Sequence, residues 1–297
     1  MPLPDDFQFT QSNLQDYTDC PRRFQLRYLM QLAWPAIAAE PADEYEAQVR
    51  DGETFHHLTQ QHVLGILPWQ DQPQLDDEPL AEWWRAYLAD PPPDLPVIRL
   101  PEITLSAPLG DHRLIAKYDL LAFDPGRRAV IVDWKTSAKR PRPGWLADRL
   151  QTRVYRYLLV RAGGDLSDHP VPGTSQALCK CGTSGAALSP DQVEMIYWFA
   201  NFPDAPERLP YDATQFAADG RALTELAAEI AQRGDPVFPL TDDHKRCLFC
   251  AYRSLCGRGV AAGDMGDAGD DAAAVEEPAA GDWAERFDFE QVGEIAF

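Results

Sequence analysis

"RLIAKYDLLAFDPGRRAVIVDWK", residues 113–135, is the stretch of sequence that decides the fold. Two apolar runs flank "DPGRR" (124–128), and the Pro-Gly pair in that segment is typical of a tight turn. The stretch therefore predicts a β-hairpin with strands at 113–123 and 129–135. The unbroken apolar start of the second strand indicates that this strand is buried on both faces.

The end of the second strand combines an acid and a base. Successive strand residues point to opposite faces, so Asp133 and Lys135 share one face and Trp134 takes the other. Asp119 and Asp133 are equidistant from Gly126. If the loop has an odd number of residues, the two acids lie opposite each other, with Cβ atoms about 5 Å apart. A two-residue loop would break that register.

Two carboxylates this close repel each other unless a cation lies between them. A divalent ion such as Mg²⁺ or Mn²⁺, which prefers carboxylate oxygens, would satisfy the pair. Lys135 could then neutralise charge on a phosphate group. The other interpretation is a surface hairpin with an ion pair. The hairpin alone leaves both open.

The charge of the chain is unevenly distributed. The 297 residues carry a net charge of −20, which argues at first against a nucleic-acid partner. Residues 262–297, however, contain eleven acids and one arginine, whereas residues 139–161 contain seven basic residues and one acid. A local basic stripe matters more for phosphate contact than the sum over the chain. A solvated helix face explains the stripe equally well.

The remaining pattern predicts a mixed α/β fold. The predicted helices are a broken pair at 12–31 and helices at 43–64, 80–89, 145–161 and 213–232. Further strands are expected at 97–107 and 193–200. No apolar run approaches the roughly 20 residues of a membrane span, and the N-terminal residues lack the features of a secretion signal, so we expect a cytoplasmic protein.

The last segment, 261–297, has the composition of a disordered acidic tail. Its scattered phenylalanines among acids also suit a docking peptide for a partner, or an acidic mimic that shields a basic groove. The sequence does not decide among these interpretations.

Cysteines form a metal-binding pattern near the end of the chain. Three of them follow the spacing C-x2-C-x5-C, and one upstream cysteine is a candidate fourth ligand. The four are Cys20, Cys247, Cys250 and Cys256. In a reducing compartment such thiols indicate a metal, and the spacing suits zinc and an iron–sulfur cluster equally. Cys179 and Cys181 are interpreted as loop thiols.

Six motifs occur in an order that resembles the PD-(D/E)XK nuclease superfamily, and within it the RecB/AddB-type nucleases with an iron–sulfur staple. The motifs are "CPRRF", "GETFH", "AKYDLL", "DWK", "QTRVY" and "CLFCAYRSLC". Two departures occur near the first acid, where Ala116 replaces the usual glycine and Tyr118 the usual proline. Every residue that would bind a ligand is retained.

The resemblance implies a role for each motif residue. His56, Asp119 and Asp133 would bind catalytic Mg²⁺ or Mn²⁺, with help from the backbone carbonyl of Trp134, while Lys135 would orient water and stabilise negative charge. Gln151 and Tyr155 would position the DNA strand, and the basic stripe adds DNA-binding candidates. These candidates are Arg149, Arg153 and Arg156.

Two further assignments follow from the resemblance. Cys20, Cys247, Cys250 and Cys256 would hold a [4Fe-4S] cluster in preference to zinc. Glu102, on the strand before the hairpin, is a lesser candidate for an acid near the metal.

The implied fold is a restriction-endonuclease-like core, a central mixed β-sheet flanked by helices, with helical additions. The nuclease domain would cover residues 1–260, and the cluster would staple its N- and C-terminal segments together. Such long-range closure stabilises a fold by restricting the unfolded chain.

The implied function is a metal-dependent DNA nuclease, an exonuclease that hydrolyses phosphodiester bonds at single-stranded DNA ends in recombination or repair. The chain has no G-x-x-x-x-G-K-[ST] phosphate loop, so we predict cooperation with a separate helicase. One alternative is a CRISPR-associated RecB-like exonuclease that processes spacers. Another is a DNA-binding scaffold without catalysis.

Overall fold

The computed structural model describes residues 3–33, 40–67, 75, 77–163, 188–248 and 250–259, with the side chains of residues 40–49 left out. The predicted tail at 261–297 lies outside these ranges, as do the two predicted loop thiols, Cys179 and Cys181.

A six-stranded mixed sheet forms the centre of the described chain. Its strands are β1 (Gln8–Phe9), β2 (Ile98–Leu109), β3 (His112–Asp124), β4 (Arg128–Lys135), β5 (Val193–Phe199) and β6 (Glu207–Pro210). The order is β1-β3-β4-β5-β6, and β2 pairs with β3. The β1–β3 and β4–β5 pairs are parallel and the others antiparallel. The predicted mixed α/β class is confirmed.

The β3–β4 hairpin has the register that its sequence predicts. Leu120 pairs with Val132, and Asp124 pairs with Arg128 across a three-residue loop. Gly126, at the centre of that loop, has φ of +69°, a left-handed conformation that glycine adopts without steric cost. One step beyond the last pair, the same register brings Asp119 and Asp133 opposite each other.

Helices cover both faces of the sheet. They are α1 (Gln11–Asp19), α2 (Pro21–Phe24), α3 (Glu40–Val63), α4 (Glu78–Ala89), α5 (Pro143–Asp148), α6 (Leu150–Ala162) and α7 (Ala213–Gln232). One core joins α1, α6 and α7 to the sheet, and a second, rich in tryptophan, joins α3 and α4 to the opposite face. Trp134 lies in the second core, as its predicted position requires.

Two details differ from the sequence prediction. The helix expected at 145–161 is two helices, because Arg149 has an extended ψ of 140° between them. The short strands β1 and β6 were not predicted, since two and four residues are too few to show a periodicity.

None of the described helices is long and apolar enough to cross a membrane.

The two ends of the described chain lie against each other. The backbone N–H of Arg22 donates to the carbonyl of Pro239 at 3.0 Å, and the hydroxyl of Tyr252 donates to the carbonyl of Leu32 at 3.0 Å. Gln25 is buried and bonds to the backbone of the 236–238 segment through both ends of its amide. These bonds bring the C-terminal cysteines to the helix pair that carries Cys20.

Gly52 sets the distance between α3 and the end of β4. A Cβ atom at this position would lie 3.2 Å from Oγ1 of Thr136, which is tighter than an ordinary contact. Gly52 lies one helical turn before His56. The absence of a side chain therefore lets α3 bring His56 close to the strand ends.

We expect Gly52→Ala to be non-additive with Thr136→Ala. Alanine stabilises a helix interior by about 0.5–1 kcal/mol relative to glycine, and this gain should appear in full only when Oγ1 of Thr136 is removed. In the wild-type background the tight contact should cancel part or all of the gain. Thermal or urea unfolding of the four proteins measures the difference, and equal gains in both backgrounds would contradict the contact.

Candidate active site

The end of β4 carries a buried acid paired with a lysine. Asp133 is only 2 % exposed, and its Oδ2 lies 3.0 Å from Nζ of Lys135. The side chain of Lys135 is 12 % exposed, so the lysine is more accessible than the acid with which it pairs. The pair therefore places a cation at the rim of the site with its counter-ion beneath it.

Gln151 connects this pair to helix α6. Its Nε2 donates to Oδ1 of Asp133 at 3.0 Å, and its Oε1 accepts from Nζ of Lys135 at 3.4 Å. The hydroxyl of Tyr197 also donates to Oε1 of Gln151, at 3.3 Å. Because Arg149 separates α5 from α6, helix α6 begins at Leu150, one residue before Gln151. One buried amide thus orients both the acid and the lysine.

Asp119 and His56 form a second pair beside the first. Oδ1 of Asp119 lies 3.4 Å from Nδ1 of His56, and Oδ2 of Asp119 accepts from the backbone N–H of Trp134 at 2.9 Å. Nε2 of His56 lies 3.1 Å from the carbonyl oxygen of Trp134. His56 therefore bridges the Asp119 carboxylate and the Trp134 carbonyl, the two groups expected near a metal.

Electrostatics favours the charged form of both partners. Burial alone would lower the pKa of His56, but the Asp119 carboxylate raises it from 6.5 to about 9. Burial raises the pKa of Asp119, yet the His56 charge and the Trp134 N–H hold it below its usual 3.8. In the metal-free protein at neutral pH, an imidazolium cation balances the Asp119 carboxylate.

Glu102 adds a third acid on the neighbouring strand β2. Pro101 pairs with Leu120 and Ile103 with Tyr118, so Glu102 faces Asp119 between these pairs. Its backbone φ is +55°, which is rare for a residue with a side chain and costs about 1–3 kcal/mol. Its carboxylate forms an ion pair with Lys117, and the Glu102 side chain is 18 % exposed.

The left-handed residue reverses the alternation of β2. Leu100 and Leu105 both lie in the same core although they are an odd number of residues apart. In a regular strand such residues point to opposite faces. Tyr118 and Leu121 show the same reversal on β3. In both strands, the side chains therefore change faces at the level where Glu102 and Asp119 lie opposite each other.

Three of these residues are spaced as ligands of one ion. Of the His, Cys, Asp and Glu side chains in the described ranges, His56, Glu102 and Asp119 form the one group of three with potential ligand atoms all within 4.8 Å of one another. Ligands at the 2.0–2.1 Å bond length of Mg²⁺ lie at most about 4.2 Å apart, so this spacing is close to what one ion would require. Two acids and an imidazole suit Mg²⁺ or Mn²⁺.

Asp133 stands outside this group of three. The sequence predicts His56, Asp119 and Asp133 as metal ligands, whereas in this structure Asp133 contacts Lys135 and Gln151. Its role as a ligand stays a prediction. Glu102, a lesser candidate in the sequence, belongs to the group with His56 and Asp119. Its left-handed backbone conformation is one that glutamate rarely adopts, so the sequence does not indicate it.

Tyr155 lies behind the site and is 4 % exposed. Its hydroxyl accepts from Nε2 of Gln11 at 3.3 Å, and its ring packs at 4.8 Å from the ring of Tyr118. The hydroxyl of Tyr118 donates to the carbonyl of Tyr155 at 3.0 Å. Tyr118, which replaces the proline of the family pattern, thus fixes α6 against β3.

The three arginines of the basic stripe have different surroundings. Arg149 lines a pocket with Lys135 and Gln151, and its guanidinium lies 4.6 Å from the ring of Trp145. Arg153 donates to Asp219 on α7 at 2.6 Å. Arg156 is buried and donates to the carbonyl of Pro210 at 2.9 Å. Of the three, Arg149 is the one that adjoins the catalytic candidates.

The four predicted cluster cysteines come together as free thiols. Burial raises the pKa of Cys247, Cys250 and Cys256, and the charge of Cys20 raises each of them further. Cys20 therefore lies near each of the other three thiols. Among the described residues, only His56, Glu102 and Asp119 form a group of three potential metal ligands within 4.8 Å of one another. No three of the four cysteine sulfur atoms are that close to one another.

We expect the stability that the His56–Asp119 pair contributes to depend on pH in the metal-free protein. Because the folded pKa of His56 is raised, this stability is complete below 6.5 and is lost as pH rises through about 9. The measurement is thermal unfolding of wild type and His56→Gln in chelator across that range. The gap in Tm should shrink as pH rises, and a constant gap would contradict a charged pair.

Three comparisons with known proteins gave different results. The family model of the PD-(D/E)XK nuclease superfamily matches residues 8–98 and 95–257. A search of curated proteins finds no match. One solved structure, described as "Crystal structure of SSO0001", matches 86 % of this chain and 87 % of its own at 12 % identity, with a TM-score of 0.42.

The family match covers most of the chain, including the hairpin, α3, α6 and the C-terminal cysteines. Superfamily members hydrolyse phosphodiester bonds with the help of divalent metal ions. The chain belongs to the PD-(D/E)XK nuclease superfamily.

Proposed function

We propose that the chain is a metal-dependent exonuclease that degrades single-stranded DNA from an end. The observation that carries the proposal is the convergence of His56 with Asp119, Asp133 and Lys135, which lie on the interior strands β3 and β4. Phosphodiester hydrolysis is extremely slow without catalysis and needs positive charge on the phosphate oxygens. Lys135 would supply part of that charge, and a metal ion bound near His56 and Asp119 would supply the rest.

The residues of the chain divide the work. His56 and Asp119 would hold the metal, with Asp133 and the Trp134 carbonyl as further candidate ligands. A bound divalent ion would supply Lewis acidity and lower the pKa of water. Lys135 would donate a hydrogen bond to the scissile phosphate. Gln151 accepts a hydrogen bond from the Lys135 ammonium group and so holds that group near Asp133. Preorganised charges of this kind need no rearrangement during the reaction.

DNA binding is proposed for the surface next to Lys135. Arg149 stacks on Trp145 there, and arginine and aromatic side chains are suited to phosphates and unstacked bases. Gln151 and Tyr155 would help to position the strand. For Arg153 and Arg156 we propose a structural role on α6, since their guanidinium groups bond to Asp219 and to the Pro210 carbonyl.

We propose further that Cys20, Cys247, Cys250 and Cys256 hold a [4Fe-4S] cluster. The resemblance to nucleases with an iron–sulfur staple favours this assignment over zinc, which four thiolates would also suit. The bonds between the N- and C-terminal segments support a staple at this position.

The partner and the pathway are proposals from the family resemblance alone. We propose that a separate helicase supplies the single strand and that the biological context is recombination or repair.

We expect Lys135→Met to lose DNA cleavage by about 10²-fold or more, because the phosphate loses its main protein cation. Lys245→Met, which removes an exposed lysine in the turn before the cysteines, is the matched control and should cleave like wild type. The assay uses end-labelled linear and circular single-stranded DNA with Mg²⁺ or Mn²⁺.

The substrates separate the parts of the proposal. Cleavage of linear but not circular DNA is expected for an exonuclease, and efficient cutting of circles would contradict that assignment. Full activity of Lys135→Met would contradict the catalytic site itself.

We expect protein purified without air to contain about four irons and four sulfides per chain and to absorb visible light. Cys20→Ser should lose this absorption and unfold at lower temperature, because the staple is broken. Cys181→Ser, which removes one of the two predicted loop thiols, is the matched control. Stoichiometric zinc, or iron retained in Cys20→Ser, would contradict the assignment.

A further inference from the structure

The Glu102–Lys117 ion pair lies beside the proposed metal ligands but has no part in the function described so far. Lys117 is two residues before Asp119 on β3, and its ammonium group contacts the Glu102 carboxylate. The Lys117 side chain is 39 % exposed, whereas that of Glu102 is 18 % exposed. The lysine can therefore swing into solvent while the glutamate stays inside the site.

The position of Glu102 is set by its backbone. A left-handed residue inside a β-strand is unfavourable for any residue except glycine, and Asn and Asp tolerate it better than Glu. The conformation keeps the Glu102 carboxylate within 4.8 Å of the ligand atoms of His56 and Asp119. A glutamate is thus found where backbone preference alone would select glycine.

The charges around Glu102 are balanced in pairs. Glu102 and Asp119 repel each other, and in the metal-free protein Lys117 and His56 neutralise them. A divalent ion held by these carboxylates would bring two positive charges, and His56 would release its proton to become a neutral ligand. Such an ion and the Lys117 ammonium group would therefore compete for one carboxylate.

We propose that Glu102 is a ligand of the active-site metal and that Lys117 is the exchangeable cation that holds this carboxylate until the metal displaces it. The proposal rests on the proposed function, because it concerns the same metal site. Metal binding then releases the Lys117 ammonium group, which is 39 % exposed, into solvent near Asp119.

The proposal predicts opposite effects for the two members of the pair. Glu102→Gln should weaken Mn²⁺ binding about tenfold or more, the loss typical for groups that hold a metal in place. Lys117→Met should strengthen Mn²⁺ binding about threefold to tenfold at low salt, because the competing cation is gone. In the double variant the Lys117→Met gain should vanish. The readout is Mn²⁺ affinity by calorimetry or electron paramagnetic resonance, without DNA.

Glu102→Gly separates the carboxylate from the backbone. Glycine accepts φ of +55° without strain, so this variant should be more stable to heat than Glu102→Gln and yet bind Mn²⁺ equally weakly. Wild-type Mn²⁺ affinity in Glu102→Gly would overturn the proposal, because the glutamate would then matter only for strand shape.

A matched ion pair provides the control for general electrostatics. Arg128 and Glu194 form a 2.7 Å ion pair between β4 and β5. Arg128→Met and Glu194→Gln should leave Mn²⁺ affinity unchanged. If Lys117→Met strengthens binding to the same extent with and without Glu102, the effect is through space and the exchange proposal is wrong.

Asp119→Asn distinguishes the two levels of the account. If Asp119→Asn binds Mn²⁺ as wild type does, the metal site of the proposed function is wrong. If it loses Mn²⁺ while Glu102→Gln and Glu102→Gly bind normally, the proposed function stands and only the role of Glu102 is overturned.

Discussion

Repulsion among three carboxylates at one level of the sheet is the constraint on which the rest of the site depends. Glu102, Asp119 and Asp133 follow one another across β2, β3 and β4. Like charges on adjacent strands are destabilising unless cations compensate them. In the metal-free protein, Lys117, His56 and Lys135 provide that compensation, one cation to each acid. The arrangement is neutral as it stands, and it places acidic ligands where a divalent ion can replace part of the protein's own positive charge.

The two faces of the sheet supply different parts of this arrangement. Helix α3, on the tryptophan-rich face, brings His56 to the strand ends, and Gly52 permits the close approach. Helix α6, on the other face, brings Gln151 to Asp133 and Lys135. The site is therefore supported from both sides of a packed core, and both Asp133 and Asp119 are held by hydrogen bonds or ion pairs to neighbouring side chains.

Much of this was predictable from sequence because local chemistry decides it. The turn at Gly126 and the alternation of β4 predict which residues share a face, and the structure has that register. The break at Arg149 was not predictable, since the surrounding sequence favours helix throughout. The surroundings of Arg153 and Arg156 depend on α7 and β6, whose packing no local pattern reports. Glu102 is only a lesser candidate in the sequence, since nothing there indicates the left-handed backbone that it adopts in the fold.

The C-terminal cysteines illustrate the same division. Spacing predicts that they bind a metal, and folding brings them to Cys20 through bonds between distant segments. The sequence alone left zinc and an iron–sulfur cluster equally suited. Sequence thus identifies the chemistry of these cysteines, and tertiary structure brings the distant Cys20 to the other three.

The most direct measurement of the central claim is the anomalous scattering of Mn²⁺ in crystals of the protein. The account predicts a strong peak roughly 2.1 Å from an oxygen of Asp119, with His56 among its nearest neighbours and Lys135 alongside. A peak at another acidic surface, or an empty site at saturating Mn²⁺, would contradict it.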